Sequence, residues 1–258
     1  FNTAVGNSSL SANTTADSNT AVGFFALNAN TTGYQNTALG QNAMVANTTG
    51  QGNVAVGALA LDANTTGGTN IAIGCDSLST NTTCSANVAI GHCALKSSSS
   101  GTFNVAIGNH ALKTLTTTDR NVAIGASALC TTTTGTGNTA IGFESLCANT
   151  TADNNVAVGC FSLKANTTGT QNTAVGNNSL KTNTTGSFNT GIGLCSIHTN
   201  TTGGCNTALG NDSLRANTTG GQNTTVGSAS MLLNTTGASN VAMGRSALRS
   251  NTTANDNV

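Results

Sequence analysis

Apolar and polar positions recur along this chain with a single period. A five-residue phrase, Asn then Thr, Val or Ile, then usually Ala, then Val, Ile, Leu or Met, then Gly, opens at Asn2. It reopens every 17 residues, at Asn19, Asn36, Asn53, Asn70 and onward to Asn240, and restarts at Asn257. No insertion or deletion interrupts it, so the chain holds fifteen complete repeats. Self-similarity this strict predicts a solenoid, in which each repeat buries its apolar face only by stacking on its neighbours.

Counting places from the Asn, strand alternation puts places two and four on one face and place three on the other. Place four is never polar, which predicts that places two and four line the coil interior. The Gly at place five, as at Gly23 and Gly125, ends the strand where the backbone must turn. Places six and seven vary freely, as in Phe24-Phe25, Cys75-Asp76, His92-Cys93 and Phe143-Glu144, and read as an exposed corner. Place eight is Ser or Ala, and place nine is Leu except at Met44, Ile197 and Met231. Place ten takes any residue, including Lys96, Lys113, Lys164, Lys181, Arg215 and Arg249, and place eleven is mostly Ala, Thr or Ser. This pattern predicts a second short strand with places nine and eleven inward and place ten outward. Asn-Thr-Thr-Gly, as at Asn30 to Gly33, then closes the coil.

The density of β-branched residues, Asn and Gly excludes a helical repeat. The predicted fold is all-β: a parallel β-solenoid, or β-roll, of fifteen 17-residue coils with two short strands each. Because the chain begins and ends inside a repeat, residues 1–258 read as a single uncapped array, a segment of a longer fibre. Stacked coils lie about 4.8 Å apart, so each residue type meets its own kind and the Asn positions form hydrogen-bonded ladders.

On this reading the place-three column faces outward. Its members are Ala4, Ala21, Ala38, Ala55, Ala72, Ala89, Ala106, Ala123, Ala140, Ala157, Ala174, Ala208 and Ala242, broken only by Gly191 and Thr225. A solvated face has no reason to forbid large or charged residues on every coil, so the column predicts a lateral packing face against another copy. The alternative is that the chain's own second strand or loop covers it.

Composition narrows the function. Only 6% of residues are charged, the formal net charge is zero, and there is no Pro or Trp. Without a basic stripe the chain is a poor nucleic-acid ligand, and no apolar run reaches the ~20 residues of a membrane span. No Ser-His-Asp order, carboxylate pair or phosphate-cradling loop points to an enzyme or a cofactor.

Twelve Asn-Thr-Thr triplets, at Asn13, Asn30, Asn47, Asn64, Asn81, Asn149, Asn166, Asn183, Asn200, Asn217, Asn234 and Asn251, match the N-glycosylation acceptor pattern. A coil spacing of about 4.8 Å would crowd sugars on successive coils, which favours a ladder of Asn amides over a full coat. Ser98, Leu115 and Thr132 replace this Asn without breaking the period. Among eight cysteines, Cys130 and Cys147 share the tenth place on adjacent coils and form a candidate disulfide. Cys75 and Cys93 are a weaker pair, and Cys84, Cys160, Cys195 and Cys205 have no evident partner. His92, Cys93, His110 and Cys75 fall on three consecutive corners, where a transition metal could bind. Because corner places vary freely, chance clustering is the simpler reading, and no metal site is assigned.

The phrase N-V-A-I-G at Asn121 to Gly125, with its variants, resembles the head repeats of trimeric autotransporter adhesins. That resemblance implies a left-handed parallel β-roll that trimerises through a flat face, although those repeats are usually shorter and lack the Asn-Thr-Thr segment. The longer unit beginning at Asn19 is similar to repeats in phage tail-fibre-like proteins and chlorovirus surface glycoproteins. The expected function is therefore a structural fibre or adhesin shaft, extracellular or on a cell or virion surface. It would associate with itself as a homo-oligomer, a trimer or a filament, and engage a cell-surface or glycan receptor through its corners. The runner-up is a rod that binds ice or another crystal surface through flat Thr and Ala ladders.

Overall fold

A computed structural model describes residues 1–258. The chain forms two compact units, Phe1–Ser127 and Ala128–Val258. The first contains β1 (Thr3–Val5), β2 (Thr20–Val22), β3 (Thr37–Leu39), β4 (Val54–Val56), β5 (Ile71–Ile73), β6 (Val88–Ile90), β7 (Val105–Ile107) and β8 (Val122–Ile124). The second contains β9 (Thr139–Ile141), β10 (Val156–Val158), β11 (Thr173–Val175), β12 (Thr190–Ile192), β13 (Thr207–Leu209), β14 (Thr224–Val226) and β15 (Val241–Met243).

Within each unit consecutive strands pair in parallel and in register. Ile71, Ala72 and Ile73 stand opposite Val88, Ala89 and Ile90, and Val156, Ala157 and Val158 stand opposite Thr173, Ala174 and Val175. Each unit is thus an all-β parallel solenoid with a 17-residue coil, as the period predicts. There is no helix, and hence none long and apolar enough to cross a membrane.

Two features depart from expectation. The first is that each coil carries one strand, not two. Places six to eleven form a run of turns because two of their residues are left-handed: in one coil Asp76 has φ 56° and Leu78 has φ 51°. Such a backbone cannot keep a pleat, yet its amides still bond to neighbouring coils. The N–H of Leu78 donates to the Ala94 carbonyl at 3.0 Å and that of Asp76 to the Ala58 carbonyl at 3.1 Å. Left-handed geometry costs roughly 1–2 kcal/mol per non-glycine residue. At place nine the strain is offset by burial, since Leu27, Leu61, Leu78, Leu95 and Leu112 are all fully buried. The invariant Gly answers a stricter demand. Gly74 has φ 128°, and a Cβ there would lie 2.6 Å from the Gly91 carbonyl oxygen of the next coil.

The second departure reverses the strand. Ala21, Ala38, Ala55, Ala72, Ala89, Ala106, Ala123, Ala140, Ala157, Ala174 and Ala208 are 0% exposed inside their own coils, and Ala242 is nearly so. Only Ala4, in the first coil, is exposed. The Ala column is therefore interior wall, not a lateral packing face. Places two and four point outward instead, with Ile71, Ile73 and Ile124 each 37% exposed.

Space explains the reversal. Opposite the strand stands the place-nine side chain, and the Asn of places one and twelve occupy the remaining interior. At Gly191, which replaces Ala, a Cβ would already lie 3.5 Å from Leu180 carbons and 2.8 Å from Ser179 Oγ. A methyl group is about as much as the wall admits. The other exception, Thr225, is accommodated because its hydroxyl meets Ser213 Oγ at 2.7 Å. Place eight, occupied by residues such as Ala26, Ser77 and Ala94, is buried, whereas place eleven is half-buried or exposed.

Candidate functional site: the outer strand face

The outward positions of each unit make two columns of side chains on a parallel sheet. In the first unit they include Leu39, Val54, Val56, Ile71, Ile73, Val88 and Ile90, and in the second Ile141, Val156, Val158, Ile192 and Val241. All are partly or well exposed, reaching 46% at Leu39 and 71% at Met243. No charged residue occupies either column, and Thr at place two is the only polar type. β-Branched side chains suit a strand, but that preference alone would allow Thr at place four, which never occurs. Place two is Thr on eight of the fifteen coils, so the apolar column that runs without a break is place four.

The Asn-Thr-Thr triplets lie elsewhere. Asn30, Asn47, Asn64, Asn81, Asn149, Asn166, Asn183, Asn200, Asn217 and Asn234 are 0% exposed. Their amides are engaged: Asn47 Nδ2 donates to Asn30 Oδ1 at 2.8 Å and to the Gly50 carbonyl at 3.0 Å. These ten cannot act as sugar acceptors in the folded coil, because the nitrogen that would carry the sugar is buried and bonded. Asn13 and Asn251, in the outermost coils, are half-buried. The first Thr of the triplet also serves the backbone, as where Thr31 Oγ1 donates to the Thr48 carbonyl at 3.1 Å.

A second Asn column runs through place one. Asn36 Oδ1 accepts the backbone N–H of Asn53 at 3.0 Å, while Asn36 Nδ2 donates to the Gly50 carbonyl at 2.8 Å. One side chain thereby ties a coil to the next and joins the start of its own coil to its end.

All eight cysteines are free thiols. Cys130 and Cys147 do lie side by side on adjacent coils, with Cys130 Sγ donating to the Cys147 carbonyl at 3.7 Å, but no disulfide joins them. Contact with the Cys130 thiol, together with burial, pushes the Cys147 thiol above its ordinary range. Cys84 is buried with its Sγ 3.3 Å from the Ser99 carbonyl, and burial raises its pKa as well.

The corners bring distant residues together through the coil spacing. The sulfur of Cys93 lies 3.6 Å from His92 Nε2, and the His92 and His110 rings are 5.6 Å apart. Possible ligand atoms of His92, Cys93 and His110 all lie within 4.8 Å of one another, and so do those of Cys75, Asp76 and His92. Sequence reasoning missed the pairing of corners with place ten. Asp76 meets Lys96 at 3.2 Å, Glu144 meets Lys164 at 2.6 Å, and Lys164 and Lys181 both lie over the Phe161 ring. The available signal was a spacing of 20, one coil plus three residues, between acid and base. These pairs are half-buried at the surface and, as surface ion pairs, contribute little stability.

Comparison with protein-family models and with curated proteins returns no match to this chain. What the geometry supports is an architectural assignment: two units of a 17-residue parallel β-solenoid, each with an uncharged outer strand face whose place-four column is apolar on every coil.

Proposed function

We propose that the chain is a structural shaft, part of an extracellular fibre or surface adhesin, that associates with copies of itself through the outer strand face. The observation that carries this reading is the exposed place-four column, Val, Ile, Leu or Met on every coil, beside an uncharged place-two column of Thr, Val and Ile. A surface repeating at the coil spacing is matched best by another surface of the same period, and a second copy supplies one. The resemblance to trimeric autotransporter heads, whose flat face mediates trimerisation, favours the same arrangement. The variable corners, which differ from coil to coil as in Phe24-Phe25, His92-Cys93 and Phe143-Glu144, are the natural place for a receptor to be read.

Two substitutions in one strand test this. Ile73→Lys places a charge on the outer face, where it costs little in a single copy but several kcal/mol if a neighbour buries it unpaired. Sedimentation velocity and negative-stain images of the wild type should show oligomers or filaments. The Ile73→Lys variant should be dispersed, with an unchanged β-type circular dichroism spectrum. Ala72→Lys, one residue away and 0% exposed, should instead fail to fold. A wild type that stays monomeric at high concentration, or an Ile73→Lys variant that assembles equally well, would refute the outer-face interface.

One exposed Thr column, including Thr32, Thr49 and Thr66, keeps the ice-binding alternative open to test. Thermal hysteresis from a non-assembling rod would favour it over the shaft.

A further inference from the structure

The corner cluster of the first unit does not belong to the shaft reading. His92 and Cys93 occupy places six and seven of one coil, and His110 occupies place seven of the next. The backbone holds the corners in a fixed stack: the N–H of Cys93 donates to the Cys75 carbonyl at 3.0 Å, and that of His110 to the His92 carbonyl at 3.1 Å. Cys93 and His110 share left-handed geometry, with φ 54° and 58°, so their side chains leave the backbone in the same direction one coil apart. This spacing brings an imidazole, a thiol and a second imidazole to within 4.8 Å of one another before any ligand is present.

We infer that His92, Cys93 and His110 form a binding site for a borderline transition-metal cation, with Zn²⁺ as the fitting ion. Two nitrogen donors and one sulfur donor are the set that zinc takes, and three protein ligands leave a fourth tetrahedral position. Of the three ligands His92 is exposed, while Cys93 is only 5% exposed. A hard cation such as Ca²⁺ or Mg²⁺ is excluded by the donor atoms. Metal binding would release the Cys93 thiol proton to the medium and leave a thiolate on the ion. Asp76 is engaged by Lys96 at 3.2 Å, and the exposed Cys75 belongs to the neighbouring group with Asp76 and His92.

The test uses the whole chain under reducing conditions, titrated with Zn²⁺ by calorimetry and with Co²⁺ by absorption. The expected result is one ion per chain and a thiolate-to-cobalt charge-transfer band in the near ultraviolet. Cys93→Ser should abolish that band, and His110→Gln, nearer the surface, should weaken Zn²⁺ binding by roughly tenfold or more. Cys75→Ser and the remote Cys205→Ser should retain both band and affinity. Circular dichroism establishes that each variant keeps its fold. The site is refuted if the wild type gives no thiolate band, if His110→Gln binds Zn²⁺ as tightly as wild type, or if Cys75→Ser rather than Cys93→Ser removes the band.

Discussion

Two columns of asparagine run through each unit, and they differ in what the fold demands of them. The column at place one has no exception in fifteen coils, whereas the column at place twelve gives way to Ser98, Leu115 and Thr132. Both are buried, and both send Nδ2 to the same acceptor, the carbonyl at place fifteen. Gly67 O receives Asn53 at 2.9 Å and Asn64 at 2.9 Å. The difference lies in the other end of the amide. At place one Oδ1 accepts a backbone N–H from the next coil, as Asn53 Oδ1 does from Asn70 at 2.9 Å. At place twelve Oδ1 accepts only another side chain, as Asn64 Oδ1 does from Asn81 at 2.8 Å. Loss of the first strands a backbone donor that cannot move, and loss of the second strands a side chain. Equal burial therefore does not mean equal constraint: what matters is whether the partner is main chain.

The sharpest way to break this comparison is in the coil where the second column is missing. With Ser98 at place twelve, Asn87 alone donates to the Gly101 carbonyl, at 2.9 Å, and it also accepts the Asn104 N–H at 3.0 Å. Asn87→Ala should cost roughly 2–5 kcal/mol, two buried groups left unmade. Urea unfolding would record the loss, and hydrogen exchange at the Asn104 amide should accelerate most. Asn64→Ala, equally buried, should cost only about 1–2 kcal/mol, because Asn53 still serves Gly67. Equal losses in the two variants would remove the distinction between the columns.

A repair should work in the opposite direction. The break at Ser98 leaves Asn81 Oδ1 and Ser98 Oγ buried without partners. Ser98→Asn would supply the missing amide to Asn81 and to the Gly101 carbonyl, and should raise stability by about 1 kcal/mol in the same urea measurement. The smallest effect belongs to the end of the column. Asn251 donates to Asn234 Oδ1 and to the Ala254 carbonyl from a more exposed position, where water can replace it. Asn251→Ala should change stability by under about 0.5 kcal/mol.

The repeat, its register and the place-nine core were legible because each rests on a regularity within one chain. The side of the strand was not. Alternation says that Ile71 and Ala72 face opposite ways, but not which way is in, and apolar size is a poor guide in a coil too narrow for a second large side chain. Gly191 carries the clue, since a column whose variants are Gly and a hydroxyl-paired Thr is one short of room. The absent second strand left no signal in residue type, because Leu is an unfavourable choice for the left-handed geometry it adopts. The corner pairs were legible only to a search at one period plus three.

The register described for the strands has a kinetic consequence. Most of the bonds that hold a coil reach a partner close to 17 residues away, as Asn53 reaches Asn36. The loop closed in adding a coil is the same size however long the array has grown, so the entropy of that step does not rise with length. Folding can then proceed as a zipper from any nucleus, with each finished coil presenting the template for the next. A β-structure built from non-local strands pairs slowly because distant segments must find each other; this one never has to look further than a single turn.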